Sequence, residues 1–83
     1  MSRTLREVMA DDLAHRLEYL GGTLVPHVEG GYEAALSPRL RLRLLAKTGG
    51  VKSINRLTAD EIVIGTALTR AIHSLYRQEV RDQ

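Results

Sequence analysis

The chain has 83 residues, with no Cys, Phe or Trp and a formal net charge of +2 from 12 Lys/Arg and 10 Asp/Glu. This admits one small domain, excludes disulfides and thiolate metal sites, and leaves a core of Leu, Ile, Val, Ala and Met. With no apolar run of bilayer length and no signal-peptide core, a soluble, cytoplasmic protein is expected. A chain of this size buries only roughly 60% of its unfolded surface, so a homodimer is the expected way of adding buried area.

Thr4 with Glu7 three residues later has the capping-box pattern. Leu5, Val8, Met9, Leu13, Leu17 and Leu20 follow at helical spacing, and Gly21-Gly22 supplies a stop. This predicts a first helix over 4–20, with Arg6, Asp11, Asp12, Arg16 and Glu18 turned to solvent. Residues 23–36 read as two short strands joined by a two-residue Gly30-Gly31 turn of the type I′ kind. Pro26 confines the first strand to a sheet edge; an ordered loop is the alternative to this hairpin.

Ser37-Pro38 is a helix start and Gly49-Gly50 a stop, predicting a second helix over 38–48. The Arg-Leu alternation from Arg39 has the period of a strand instead, which would line Arg39, Arg41 and Arg43 along one sheet face. Both caps and the lack of β-branched residues favour the helix. Thr58 and Glu61 form a second capping box and open the longest predicted helix, 59–80. Its apolar residues, from Ile62 to Tyr76, cover more than one stripe, which suggests contact with both the core and a partner chain. Gly65 in mid-helix costs about 1 kcal/mol relative to Ala and, with Thr69, leaves a strip where a second backbone could approach; a tight contact within the chain would use it equally well. The dimer or partner-helix interface is expected at Ile64, Gly65, Leu68, Thr69, Ile72 and Tyr76. The predicted fold class is mostly α: three helices, a small β-hairpin or ordered loop between the first two, and a homodimer through the C-terminal helix.

Six of the 12 cations (Arg39, Arg41, Arg43, Lys47, Lys52 and Arg56) fall between Ser37 and Arg56, and no carboxylate occurs between Glu33 and Asp60. The other six share the rest of the chain with all 10 carboxylates. Within this basic stretch, Leu44 to Leu57 is similar to a helix-turn-helix: a small residue at Ala46, glycine four positions on at Gly50, then apolar Val51. The second helix of that motif would carry Lys52, Ser53, Asn55 and Arg56 to phosphates and base edges. Residues 51–57 are about two short of a recognition helix, so the motif requires them to merge with the helix after Thr58. The plainer reading is a solvated surface whose aliphatic stems cover the core.

His15, His27 and His73 are too far apart for a zinc motif, and no metal or other cofactor is expected. His27, Glu29, Tyr32 and Glu33 cluster near the predicted turn, with Tyr32 opposite Glu29 in that register. Without a nucleophile or cofactor loop they read as polar turn residues, so neither an enzyme nor a small-molecule substrate is expected. The reading that follows is a small DNA-binding regulatory protein. It would grip the duplex backbone through Arg39, Arg41, Arg43, Lys47, Lys52, Ser53, Asn55 and Arg56, with Asn55 and Arg56 as base readers. No aromatic interleaves these cations, which favours a duplex over stacked single strands. The alternative is a non-enzymatic protein-protein interaction module, an inhibitor or adaptor that sets the arginines on an acidic surface or the Gly65/Thr69 face on a helix.

Overall fold

Helix α1, Leu5–Leu20, starts where Thr4 Oγ1 accepts the Glu7 N–H at 3.2 Å, and ends at Gly21. The computed structural model describes residues 3–28, 30–49 and 56–83. The face of α1 that enters the core carries Ala10, Leu13 and Leu17. Leu5 and Val8, counted into the apolar stripe by spacing, are exposed. Strands β1, Gly22–Pro26, and β2, Tyr32–Leu36, pair antiparallel from Gly22↔Leu36 to Pro26↔Tyr32.

The predicted hairpin is present, but its turn is longer than two residues. In the connection the His27 N–H bonds Gly31 O and the Gly30 N–H bonds His27 O, both at 3.0 Å. The strand register runs as far as Pro26↔Tyr32, a pair next to the hydrogen-bonded His27 and Gly31 at which proline's missing N–H costs the ladder no bond. Tyr32 therefore lies opposite Pro26, not Glu29, which is outside the described residues. β1 is an edge strand, as Pro26 requires, in a sheet ordered β1-β2-β3.

Helix α2, Pro38–Thr48, begins with Ser37 Oγ accepting the Leu40 N–H at 3.2 Å and ends at Gly49. The Arg-Leu alternation is thus wound into a helix, and burial discriminates between the two periods. A strand would place Leu40, Leu42 and Leu44 on one face; here Leu40 and Leu44 are buried and Leu42 is 68% exposed.

The chain continues as a two-residue strand β3, Arg56–Leu57, paired antiparallel with β2 through Tyr32↔Leu57 and Glu33↔Arg56. This strand corrects the helix-turn-helix expectation, because the recognition helix would have to run through Arg56 and Leu57. Leu57 is buried, and Gly31 lets β3 close on the hairpin. A Cβ on Gly31 would lie 2.8 Å from Leu57 O, and its φ of +75° is one that L side chains rarely adopt.

The predicted long helix is two helices. Thr58 and Glu61 form the full capping box, with the Thr58 N–H bonding Glu61 Oε1 at 2.8 Å, and open α3, Ala59–Ile64. Gly65 at φ +86° closes α3, its N–H bonding Glu61 O. Thr66 then caps α4, Ala67–Arg81, by accepting the Thr69 N–H. Glycine followed by threonine is a stop and a start in sequence, and the left-handed cap is why glycine occupies position 65. Among the described residues there are thus four helices, not three, with a three-stranded antiparallel sheet. Helix α4 packs on both α1 and α2, while α1 also packs on α3 and β1. The core is aliphatic: Leu13, Leu17, Leu40, Leu44, Ile62 and Ile72 are its largest fully buried hydrophobic side chains.

Candidate nucleic-acid interface

Arg39, Arg43 and Lys47 recur every fourth residue along α2, so they share one side of it. That side borders α4: Arg43 Nη1 lies 2.7 Å from Glu79 Oε1, and Lys47 Nζ donates to Ser74 Oγ at 3.4 Å. Helix α4 adds Arg70, Arg77 and Arg81, all exposed. Their spacing of seven and then four residues places them on one face, opposite the stripe of Leu68, Ile72 and Leu75 that enters the core. At 1.5 Å per residue the three span about 16 Å of helix axis. Helices α2 and α4 together carry seven cations against one carboxylate, Glu79.

Helices α1 and α3 are composed differently. They carry Glu7, Asp11, Asp12, Glu18, Asp60 and Glu61 against Arg6 and Arg16. Arg6 pairs with Asp60 at 2.6 Å, Arg16 with Asp12 at 3.3 Å, and Arg3, just before α1, with Asp11. Among the described residues Arg43 is the one α2/α4 cation with a carboxylate partner; Arg39, Arg41, Lys47, Arg70, Arg77 and Arg81 have none.

The residues expected at this site are therefore divided. Arg39, Arg43 and Lys47 lie together, while Arg41 is half-buried around the helix from them. Arg56 is exposed on β3 opposite Glu33. Lys52, Ser53 and Asn55 lie outside the described residues. The cations of α4 were not among the expected residues, although their spacing was a usable signal.

The expected dimer stripe is largely spent on the chain's own core. Leu68, Thr69 and Ile72 are buried, and Thr69 Oγ1 lies 3.2 Å from Thr66 Oγ1. Gly65 is a helix cap. Tyr76 packs on α1, with Arg16 over its ring at 4.8 Å and Tyr19 at 5.3 Å in an edge-on arrangement. Ile64, 80% exposed, is the one large side chain of that set left open to solvent. His73 is half-buried on α4 and its Nδ1 has no hydrogen-bond partner. Burial holds the imidazole below its usual range; Arg16 pushes the same way, Asp12 opposes, and Arg77 adds to the lowering.

No helix among the described residues is long and apolar enough to cross a membrane. No protein-family model, no curated protein and no solved structure matches this chain.

Proposed function

We propose that the protein is a small DNA-binding regulator that grips the phosphate backbone with the paired cationic faces of α2 and α4. The observation that carries this reading is the set of five exposed cations on those two helices, Arg39, Lys47, Arg70, Arg77 and Arg81, with no carboxylate partner among the described residues. Exposed cations on two helices that pack on each other add their potentials wherever they lie within a Debye length, roughly 8–10 Å. The binding surface is thus shifted from the one expected at Arg39 to Arg56. It keeps Arg39, Arg43 and Lys47 and gains Arg70, Arg77 and Arg81. Phosphate contacts of this kind position a protein on a duplex without reading its sequence.

A labelled arbitrary duplex titrated with the protein tests this by fluorescence anisotropy. Binding on the order of micromolar at about 50 mM salt, weakening steeply by about 200 mM, is expected because each neutralised phosphate releases counterions. No binding at low salt would overturn the reading. One observation favours the second reading, an acidic protein surface as partner: Leu42 is 68% exposed on the cationic helix α2. An apolar residue there suits a protein partner better than phosphate. Duplex binding that survives Arg70→Ala and Arg77→Ala unchanged would favour that partner.

A further inference from the structure

The end of α1, the start of α2 and the last turns of α4 enclose a recess of about 190 Å³, with Tyr19, Ser37, Arg39, Arg43 and Glu79 in its lining. Its position follows from the chain turn after α1: Gly21 ends that helix against the Ser37 hydroxyl, 3.5 Å from where a Cβ would sit. Pockets that enclose drug-sized ligands run to roughly 300–1,000 Å³. This one suits a single small group at the end of a larger molecule.

The polar groups of the recess have donors left over. Ser37 Oγ accepts the Leu40 N–H at 3.2 Å, and Tyr19 Oη accepts from Gln83 Nε2, so each hydroxyl keeps its own hydrogen to donate. Arg39 has no carboxylate partner among the described residues. Arg43 gives one N–H to Glu79 at 2.7 Å and retains others of its planar fork. Donors on the end of α1 and on α2 therefore border one small space, and they match a group with several acceptor oxygens pointing in different directions. A tetrahedral oxyanion has that form and a flat carboxylate does not.

The number of free oxygens decides which oxyanion. With two guanidinium groups and one carboxylate, the recess is a net single cation. A phosphate monoester presents three unsubstituted oxygens, enough to engage both arginines beside Glu79. A backbone diester carries one charge and is flanked by sugars on both sides, so it stays on the rim. We propose that this recess seats a phosphate monoester, carried either by the 5′ end of a nucleic-acid strand or by a small sugar phosphate. Only the first source rests on the DNA-binding reading of α2 and α4.

The test uses the full chain and its Tyr19→Phe variant, which loses the hydroxyl alone and lies outside the α2/α4 cations. Anisotropy compares duplexes ending in 5′-phosphate and 5′-hydroxyl, and calorimetry measures ribose 5-phosphate against sulfate. About tenfold tighter binding of the phosphorylated duplex is expected, the worth of one charge-assisted hydrogen bond. Tyr19→Phe should remove that preference while leaving the 5′-hydroxyl duplex unchanged. If neither duplex binds but ribose 5-phosphate does, in a manner lost with Tyr19→Phe, the recess stands with a small-molecule source and the DNA reading falls. Equal affinity for the two duplexes, with ribose 5-phosphate binding no tighter than sulfate, overturns the proposal even if both duplexes bind.

Discussion

Arg6 and Arg16 on α1 reach carboxylates at 2.6 and 3.3 Å, whereas Arg70, Arg77 and Arg81 on α4 reach none among the described residues. All five lie on helices packed around one core, so the difference comes from composition of the two sides. Exposed ion pairs such as Arg6–Asp60 stabilise little, about 0–1 kcal/mol, because water already solvates both charges. Their main effect is to cancel the field of that side. On α2 and α4 Glu79 is the one carboxylate, so most of the field remains and extends outward. The contrast teaches that a net charge of +2 can conceal a strongly cationic face.

The widest way to break this comparison is to remove what holds the two sides together. Ile72 is fully buried on α4, the helix that packs on both α1 and α2. Ile72→Ala should cost about 2–5 kcal/mol in denaturant unfolding, and both sides should melt in one transition. A mild loss, below about 1 kcal/mol, would place Ile72 outside the core.

Gly65→Ala comes next and its sign is diagnostic. In a continuous helix alanine would stabilise by about 1 kcal/mol. With φ at +86° the substitution should instead destabilise by about 1–2 kcal/mol, and the cost is backbone conformation alone, since a Cβ would meet nothing closer than Arg70 Cγ at 3.9 Å. Thermal melts of the variant read the sign directly.

The electrostatic contrast itself is sharpened by paired variants. Arg70→Ala and Arg77→Ala should each flatten the salt slope of duplex binding by about 1. Arg6→Ala should leave that slope unaltered and change stability by less than about 1 kcal/mol, since Arg6 and Asp60 are both mostly exposed. Equal effects from α1 and α4 arginines would erase the distinction between the sides.

His73 offers the smallest effect. Its folded-state pKa lies below the ordinary 6.5, so the unfolded chain takes up a proton more readily. The contribution of the neutral imidazole is present above pH 6.5 and is lost as pH falls from there through the lower folded-state value. Melts between about pH 7.5 and 5.5 should show this loss in the wild type and less of it in His73→Gln. A wild-type melting point that rises on acidification in that range would contradict the assignment.

Much of the fold was legible because its signals are local. Thr4, Ser37 and Thr58 cap helices through their own side chains, and Gly21 and Gly49 end them. Where the reading from sequence failed, two signals competed. Apolar residues on both sides of Gly65 preserve helical periodicity, and that hid the Gly65-Thr66 stop and start. Of the candidate site, Arg39, Arg43 and Lys47 were visible as a basic run. Arg70, Arg77 and Arg81 were not, because they stand outside that run, and their spacing of seven and four residues was the signal left unused. Arg43 looked equivalent to Arg39 in sequence; its neutralisation by Glu79, 36 positions away, required the packed structure.

Sequence by itself determined the aliphatic core, the capped helix starts and the basic character of α2, and it pointed to the hairpin with its edge strand. Each follows from interactions spanning a few residues or from composition. Tertiary structure alone decided that Arg56–Leu57 joins β2 as a strand, that Leu68, Thr69 and Ile72 face inward, and that α4 packs on the basic helix α2. These outcomes depend on which surfaces meet after the chain folds back on itself, and contacts between residues far apart in sequence leave no local period to read.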